Sequence, residues 1–179
     1  VSIGTHSAHN LAKAVKYVIM KNRDNFADSV CCEQVENNAL DIKLICIGVS
    51  AGNHQNLLTG YFEVEDSATK SVYRLNKDFV KPMTVILDDK VLDKVSNIAK
   101  LGMELSALIV ALAAISFGSD EQDKLTAISA VGIATKNNAS LNDLFLAQMY
   151  AGASFLTLQN NLLNEFVMSV CYYTGQVYS

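Results

Sequence analysis

The sequence predicts an α+β fold: an N-terminal helix, a three- or four-stranded antiparallel meander, and a C-terminal layer of three apolar helices. Apolar residues recur at helical spacing near the start of the chain, short apolar or alternating runs follow, and long apolar runs end it. Because 179 residues fit one domain, we expect a single domain over 1–179. Helix and sheet occupy 1–87, and helices occupy 88–179.

The first predicted element is an amphipathic helix over residues 8–22, with Ser7 as its N-cap. Lys13, Lys16 and Lys21 fall outside its apolar stripe, so we expect them on a solvated face. The stripe itself consists of Leu11, Ala14, Val15, Val18 and Ile19.

Four strands are predicted in the middle of the chain, over residues 42–49, 59–65, 70–75 and 84–87. The first is an apolar run too short for a helix, which suits a strand covered on both faces. A polar loop, 50–56, follows it. Since the joining loops are too short for crossover helices, we expect antiparallel pairing throughout.

The C-terminal helices are poor in charge. Residues 101–179 hold only two Lys and six Asp or Glu, about a tenth of the segment, where about a quarter is usual. Small residues recur at three- or four-residue spacing, which lets helix axes approach closely. We therefore expect a compact helical layer packed on the sheet. The small residues are Ala107, Ala111, Ala114, Ala127, Ala130, Ala134, Ala147, Ala151 and Ser154.

One apolar segment, 101–118, has Glu104 as its only charge and approaches the ~20 residues that span a bilayer. A membrane-insertion helix would use the side chains of its central part. A buried core helix is favoured, because the segment lacks an aromatic belt and a Lys/Arg bias at its flanks. The candidate insertion residues are Leu105, Leu108, Ile109 and Leu112.

Composition limits the partners and the compartment. A net charge of −4 argues against a nucleic-acid binder, which needs clustered Lys and Arg. Cys31 and Cys32 are adjacent, and neither they nor Cys46 and Cys171 form a CxxC spacing, so no zinc site is predicted. Reduced thiols mildly favour an intracellular protein, although a start at Val1 is compatible with a removed leader.

Few residues indicate a catalytic, metal-binding or cofactor-binding site. His6 and His9 could share a helical face, but no Cys, Asp or Glu lies nearby to complete a site, so we predict no metal. Gly-rich phosphate loops are absent, so we predict no cofactor. His54, in the 50–56 loop, is a weak candidate for a catalytic base. Ser50 with Asp41 or Asp66 could complete a triad, but an ordinary hairpin loop explains the spacing better.

Three functions follow from these patterns. The first is a non-enzymatic, self-associating structural subunit that uses its apolar C-terminal helices as the interface with other copies. The second is a toxin-like membrane-active protein that stores the helix 101–117 in a soluble fold. The third is a small hydrolase or ligand-binding domain that uses the 50–56 loop. We rank them in this order and therefore lean against an enzyme. The candidate interface residues are Ala107, Ala111, Ala147, Ala151, Tyr172 and Tyr173.

Overall fold

The computed structural model describes residues 1–23, 26–31, 42–49, 56–67, 70–88, 90 and 95–156. Strands and helices alternate in its first half, and three helices make up its second half. A short 3-10 turn, Asp78–Val80, precedes the last strand. In chain order the elements are β1 (Ser2–Gly4), α1 (His6–Met20), α2 (Phe26–Cys31), β2 (Ile45–Gly48), β3 (Tyr61–Glu65), β4 (Val72–Asn76), β5 (Thr84–Ile86), α3 (Asn97–Phe117), α4 (Glu121–Ala134) and α5 (Leu141–Phe155).

The strands form a parallel sheet and a separate hairpin. β1, β2 and β5 pair in parallel in the order β1–β2–β5, whereas β3 and β4 pair with each other in antiparallel fashion. The predicted antiparallel meander is therefore wrong. α1 connects β1 to β2, and the β3–β4 hairpin lies within the connection from β2 to β5. Both connections are long enough to return the chain in parallel.

The two faces of the parallel sheet differ in their covering. Cys46 is fully buried on the face that packs against α1 and α5. On the opposite face, Ile3, Ile47 and Ile86 are paired in register across the three strands. Ile3 is 62% exposed and Ile86 is 43% exposed. Parallel sheets usually bury both faces, so in the described part of the chain one apolar face of this sheet is left bare.

α1 buries a face that is shifted from the predicted one: Ala14 of the predicted stripe is buried, but three of its larger residues are not. Leu11, Val15 and Ile19 are exposed, whereas Lys13 is fully buried and Lys21 is 3% exposed. Lys16 is also buried. The expectation of solvated lysines is wrong because the inner face of α1 packs against backbone carbonyls and aromatic rings.

The Lys13 ammonium links α1 to residues 56–61, a segment that leads into β3 and ends at its first residue. Its Nζ donates hydrogen bonds to the carbonyl oxygens of Asn56 at 2.6 Å, Thr59 at 2.8 Å and Tyr61 at 2.9 Å. Three acceptors match the three N–H donors of an ammonium. We call this set of three bonds the Lys13 clamp.

An aromatic cluster holds the hairpin against the second half of α1. The Tyr17 ring on α1 lies 5.7 Å from Phe62 of β3 and 5.6 Å from Phe79, centroid to centroid. Phe26 of α2 contacts Tyr73 of β4 edge-on at 5.5 Å. Such tilted and stacked ring pairs add to the burial of their apolar area. The cluster and the Lys13 clamp therefore fix the hairpin on α1 at two points.

The predicted C-terminal helical layer is confirmed. α3 begins after Ser96, whose side chain accepts a hydrogen bond from the Ala99 N–H at 3.2 Å, and it continues through Gly102. α4 is capped by Asp120, and α5 begins with a capping box formed by Ser140 and its N3 residue, Asp143. The three helices pack on one another through the alanine stripes.

The layer also packs on the parallel sheet and contains one polar link. Met149 of α5 belongs to the same buried cluster as Leu44 and Cys46. Between α5 and α3, the Gln148 amide donates to the Ser106 hydroxyl at 2.8 Å. α3 has the length and composition of a membrane span, with a mean hydropathy of 2.0, but here it packs against α4 and α5.

Replacing Gly60 with Ala should destabilise the protein, because an added Cβ would collide with the Lys77 carbonyl of the hairpin. The Lys77 N–H already donates to the Gly60 carbonyl at 3.2 Å, so neither backbone can move away freely. We expect the free energy of unfolding to fall by about 1–3 kcal/mol in urea titrations. Gly132→Ala is the control: no atom lies within 4 Å of its Cβ, so a gain of about 0.5–1 kcal/mol is expected. Equal effects would contradict the hairpin packing.

The free energy of unfolding should rise with pH above neutrality because of Lys13. Burial lowers the pKa of Lys13 from 10.5 to about 7. Between these values the unfolded chain binds a proton that the folded chain does not, so stability increases with pH by up to about 1.4 kcal/mol per pH unit. Urea titrations across this range should show the rise in wild type and a flatter profile in Lys13→Met. Parallel profiles would contradict it.

Candidate functional site

A pocket of about 300 Å³ lies between the first turns of α1 and the strand β3. It opens where the chain leaves the carboxyl end of β1 and enters α1. Its volume is at the lower end of the range for small-molecule sites. The lining residues are His6, Ser7, Asn10 and Leu11 from α1, and Glu63, Val64 and Glu65 from β3.

The turn into α1 requires glycine at position 4. Gly4 has a φ of +150°, a conformation that L-residues rarely adopt. A Cβ at this position would also lie 2.8 Å from the Cβ of Ala8. Gly4 thus allows β1 to pass into α1 through the single residue Thr5, which brings the first turn of the helix to the end of the strand.

The N-terminus of α1 is not neutralised by side chains. Thr5 is its N-cap residue but makes no capping hydrogen bond through its side chain, and the first turn contains no acidic residue. The first N–H groups of a helix have no acceptor within the helix, and the helix dipole makes this end positive. This end of the pocket is therefore suited to an anionic group.

The two histidines on α1 have different environments. His9 is fully buried, and its Nδ1 lies 2.9 Å from the Ser2 hydroxyl of β1. Burial lowers the pKa of His9, with smaller contributions in the same direction from Lys13 and His6. His6 lines the pocket, and its Nε2 lies 3.0 Å from the Asn10 amide nitrogen. His9 is therefore a core residue, whereas His6 faces the pocket.

The two glutamates of β3 that line the pocket are each paired with a basic side chain. Glu63 accepts a hydrogen bond from Arg74 Nε at 2.8 Å, and Glu65 lies 3.2 Å from Lys70 Nζ. These pairs are exposed, so they add little stability. They do offset the negative charge of β3, and the wall is therefore compatible with an anion at the N-terminus of α1.

Tyr61, at the start of the same strand, is held in its neutral form. Burial, followed by the nearby Glu63 carboxylate, raises the pKa of Tyr61 to about 12. Burial likewise raises the pKa of the Cys46 thiol on β2. Neither the Tyr61 phenol nor the Cys46 thiol is therefore ionised near neutral pH, so neither supplies an anionic nucleophile.

Most residues predicted as functional lie away from this pocket. His54, Ser50, Asp41, Tyr172 and Tyr173 are outside the described residues. The candidate interface alanines are fully buried within the helical layer of the same chain, which leaves their side chains no surface to offer to a second copy; these are Ala107, Ala111, Ala147 and Ala151. Of the candidate insertion residues, Leu112 is 54% exposed, while the other three, Leu105, Leu108 and Ile109, are half-buried.

Sequence reasoning missed the pocket because it did not recognise β1. The feature of the sequence that could have indicated β1 is Gly4, which stands between the apolar residues Val1 and Ile3 and the predicted helix. Ser7, predicted as an N-cap, lines the pocket instead, together with Asn10. In the described ranges, no three His, Cys, Asp or Glu side chains are grouped so that they could hold a metal ion.

Solved enzymes share this fold. A sulfoacetaldehyde reductase from Bifidobacterium kashiwanohense, in complex with NAD+, matches 86% of this chain and 43% of its own, with TM-score 0.68 and 18% identity. An iron-containing alcohol dehydrogenase from Thermotoga maritima matches the same shares, with TM-score 0.64 and 21% identity. A maleylacetate reductase from Rhizobium sp. matches 88% and 40%, with TM-score 0.58 and 14% identity.

These structures correct the predicted function. No family model and no curated protein matches the chain. The chain spans less than half the length of the solved proteins it resembles. The expectation of a non-enzymatic assembly subunit is nevertheless wrong, because the three solved proteins with this fold described above are reductases and a dehydrogenase. The chain has the fold of one part of iron-containing alcohol dehydrogenase-type enzymes.

Proposed function

We propose that this chain is a Rossmann-like α/β unit of an oxidoreductase-type protein and binds a nicotinamide dinucleotide where β1 meets α1. The turn at Gly4 carries this proposal. It brings the N-terminus of α1, which lacks a side-chain cap, to the carboxyl end of a parallel strand. In doubly wound α/β folds, dinucleotides bind at this edge of the sheet, with the pyrophosphate on a helix N-terminus.

The pocket residues have distinct parts in binding. N–H groups in the first turn of α1 would donate to the pyrophosphate, and the Ser7 hydroxyl would add a further donor. Asn10 and His6 offer polar groups to the adjoining sugar. The pocket is small for a whole dinucleotide, so we assign it to the pyrophosphate and the sugar next to it. A bound nicotinamide dinucleotide would accept or donate hydride, while these residues bind and orient it.

Iron does not fit the described residues. One of the solved enzymes described above is called an iron-containing alcohol dehydrogenase. Iron sites in proteins are built from grouped imidazole and carboxylate donors. The part of the chain that the structure describes offers no such group of three. The proposed role of these residues is therefore nucleotide binding, without a metal ligand among them.

Replacing Ser7 with Asp should weaken dinucleotide binding while preserving the fold. A carboxylate in the first turn of α1 interacts favourably with the helix dipole, but it repels a pyrophosphate at the same position. We expect the Kd for NAD+, measured by isothermal titration calorimetry, to increase at least about tenfold, equivalent to about 1.4 kcal/mol. Ser7→Asn is the matched control, with similar size and no charge, and it should bind within about threefold of wild type.

Two results would contradict the proposal. One is equal affinity of Ser7→Asp and wild type for NAD+, which would separate the ligand from the α1 N-terminus. The other is failure of the folded wild-type chain to bind NAD+, NADP+ or ADP at millimolar concentration. Far-UV circular dichroism of each variant shows whether it is folded before its affinity is compared.

A further inference from the structure

We propose that Lys13 is a positioning residue that sets the separation between the two walls of the nucleotide pocket. This inference rests on the proposed function for its ligand, but the geometry belongs to the chain itself. Lys13 does not line the pocket. It acts through the segment 56–61, to which it donates all three of its bonds.

The Lys13 clamp connects the elements that form the two walls. One wall is the first two turns of α1, and Lys13 lies on the same helix three residues beyond Asn10. The other wall is β3, whose first residue, Tyr61, accepts the Lys13 bond at 2.9 Å through its carbonyl. Glu63, two residues further along this strand, lines the pocket. The length of the Lys13 side chain therefore fixes how close β3 can come to α1.

A second bond ties the clamp to the pocket lining. The Asn56 amide donates to the Asn10 side-chain oxygen at 2.5 Å. Asn56 is 1% exposed, so it is a core residue, while Asn10 faces the pocket. Within the segment, the Thr59 hydroxyl donates to the Asn56 carbonyl at 3.1 Å and accepts from the Tyr61 N–H at 3.2 Å. The segment 56–61 is thus closed on itself around the Lys13 ammonium.

Stability alone does not account for a lysine at this position. Removing an ammonium from water is costly, and well-packed apolar replacements of buried ionic groups are often neutral or stabilising. All three partners are neutral carbonyls, so no opposite charge of an ion pair compensates the burial within the clamp. Three directional bonds to three residues of one segment do, however, specify a position, which an apolar side chain of the same length cannot do.

Lys21 provides a matched control on the same helix. It is 3% exposed, and its Nζ lies 5.8 Å from the centroid of the Tyr17 ring. It lies just beyond the C-terminal end of α1, whereas the pocket is at the N-terminal end. Lys21→Met thus removes a buried ammonium next to the end of α1 that is far from the pocket, and this ammonium makes none of the three bonds of the Lys13 clamp.

The test compares Lys13→Met with Lys21→Met by amide hydrogen exchange and by NAD+ titration at about pH 6, below the pKa of Lys13 of about 7, where its side chain has all three N–H donors. Met is an unbranched apolar side chain one atom shorter than Lys, and it removes the donors. In Lys13→Met we expect amides of residues 56–65 to exchange at least about tenfold faster, and the Kd for NAD+ to rise at least about tenfold. Lys21→Met should leave both quantities within about twofold of wild type. Lys13→Gln, which retains two N–H donors, should give intermediate values and serves if Lys13→Met does not fold.

The outcomes separate this inference from the proposed function. If wild type binds no dinucleotide, the proposed function fails, and exchange over 56–65 alone decides whether Lys13 holds the two walls. If wild type binds NAD+ and Lys13→Met binds it equally well, Lys13 does not position the pocket. Equal losses in Lys13→Met and Lys21→Met would show a general effect of removing a buried lysine, and would also overturn the inference.

Discussion

The contact between α1 and the segment 56–61 is the constraint on which the rest of this structure depends. α1 lies in the connection from β1 to β2, which pair in parallel, and it packs against the buried face of the sheet. The Lys13 clamp places the β3–β4 hairpin beside the same helix. Because the pocket is the space between α1 and β3, a single helix supports the sheet, the hairpin and the site.

The pocket combines a positive helix terminus with a wall whose charges are balanced. Gly4 makes this possible, since any side chain there would separate β1 from the first turn of α1. Glu63 and Glu65 would oppose an anion if they stood alone, but Arg74 and Lys70 accompany them. The imidazole of His9, held neutral by burial, adds no charge of its own beneath the turn. These features suit the proposed binding of a phosphate-bearing ligand at this pocket.

The sequence predicts the elements better than their arrangement. Strands near 42–49, 59–65, 70–75 and 84–87 and the three C-terminal helices occur where periodicity places them. Alternation along a strand does not encode its direction, and β1, with only three residues, was too short to register as a strand. The burial of Lys13 depends on carbonyls 43 to 48 residues away, which no local pattern contains. The pocket could not be predicted without these two features.

Chemical-shift mapping of NAD+ binding on the ¹⁵N-labelled chain tests the central claim most directly, because it locates the ligand without any substitution. The account predicts that the largest shifts cluster at residues 4–11 and 63–65, the two walls of the pocket. Shifts concentrated in α3, α4 or α5, with the first turn of α1 unaffected, would contradict it.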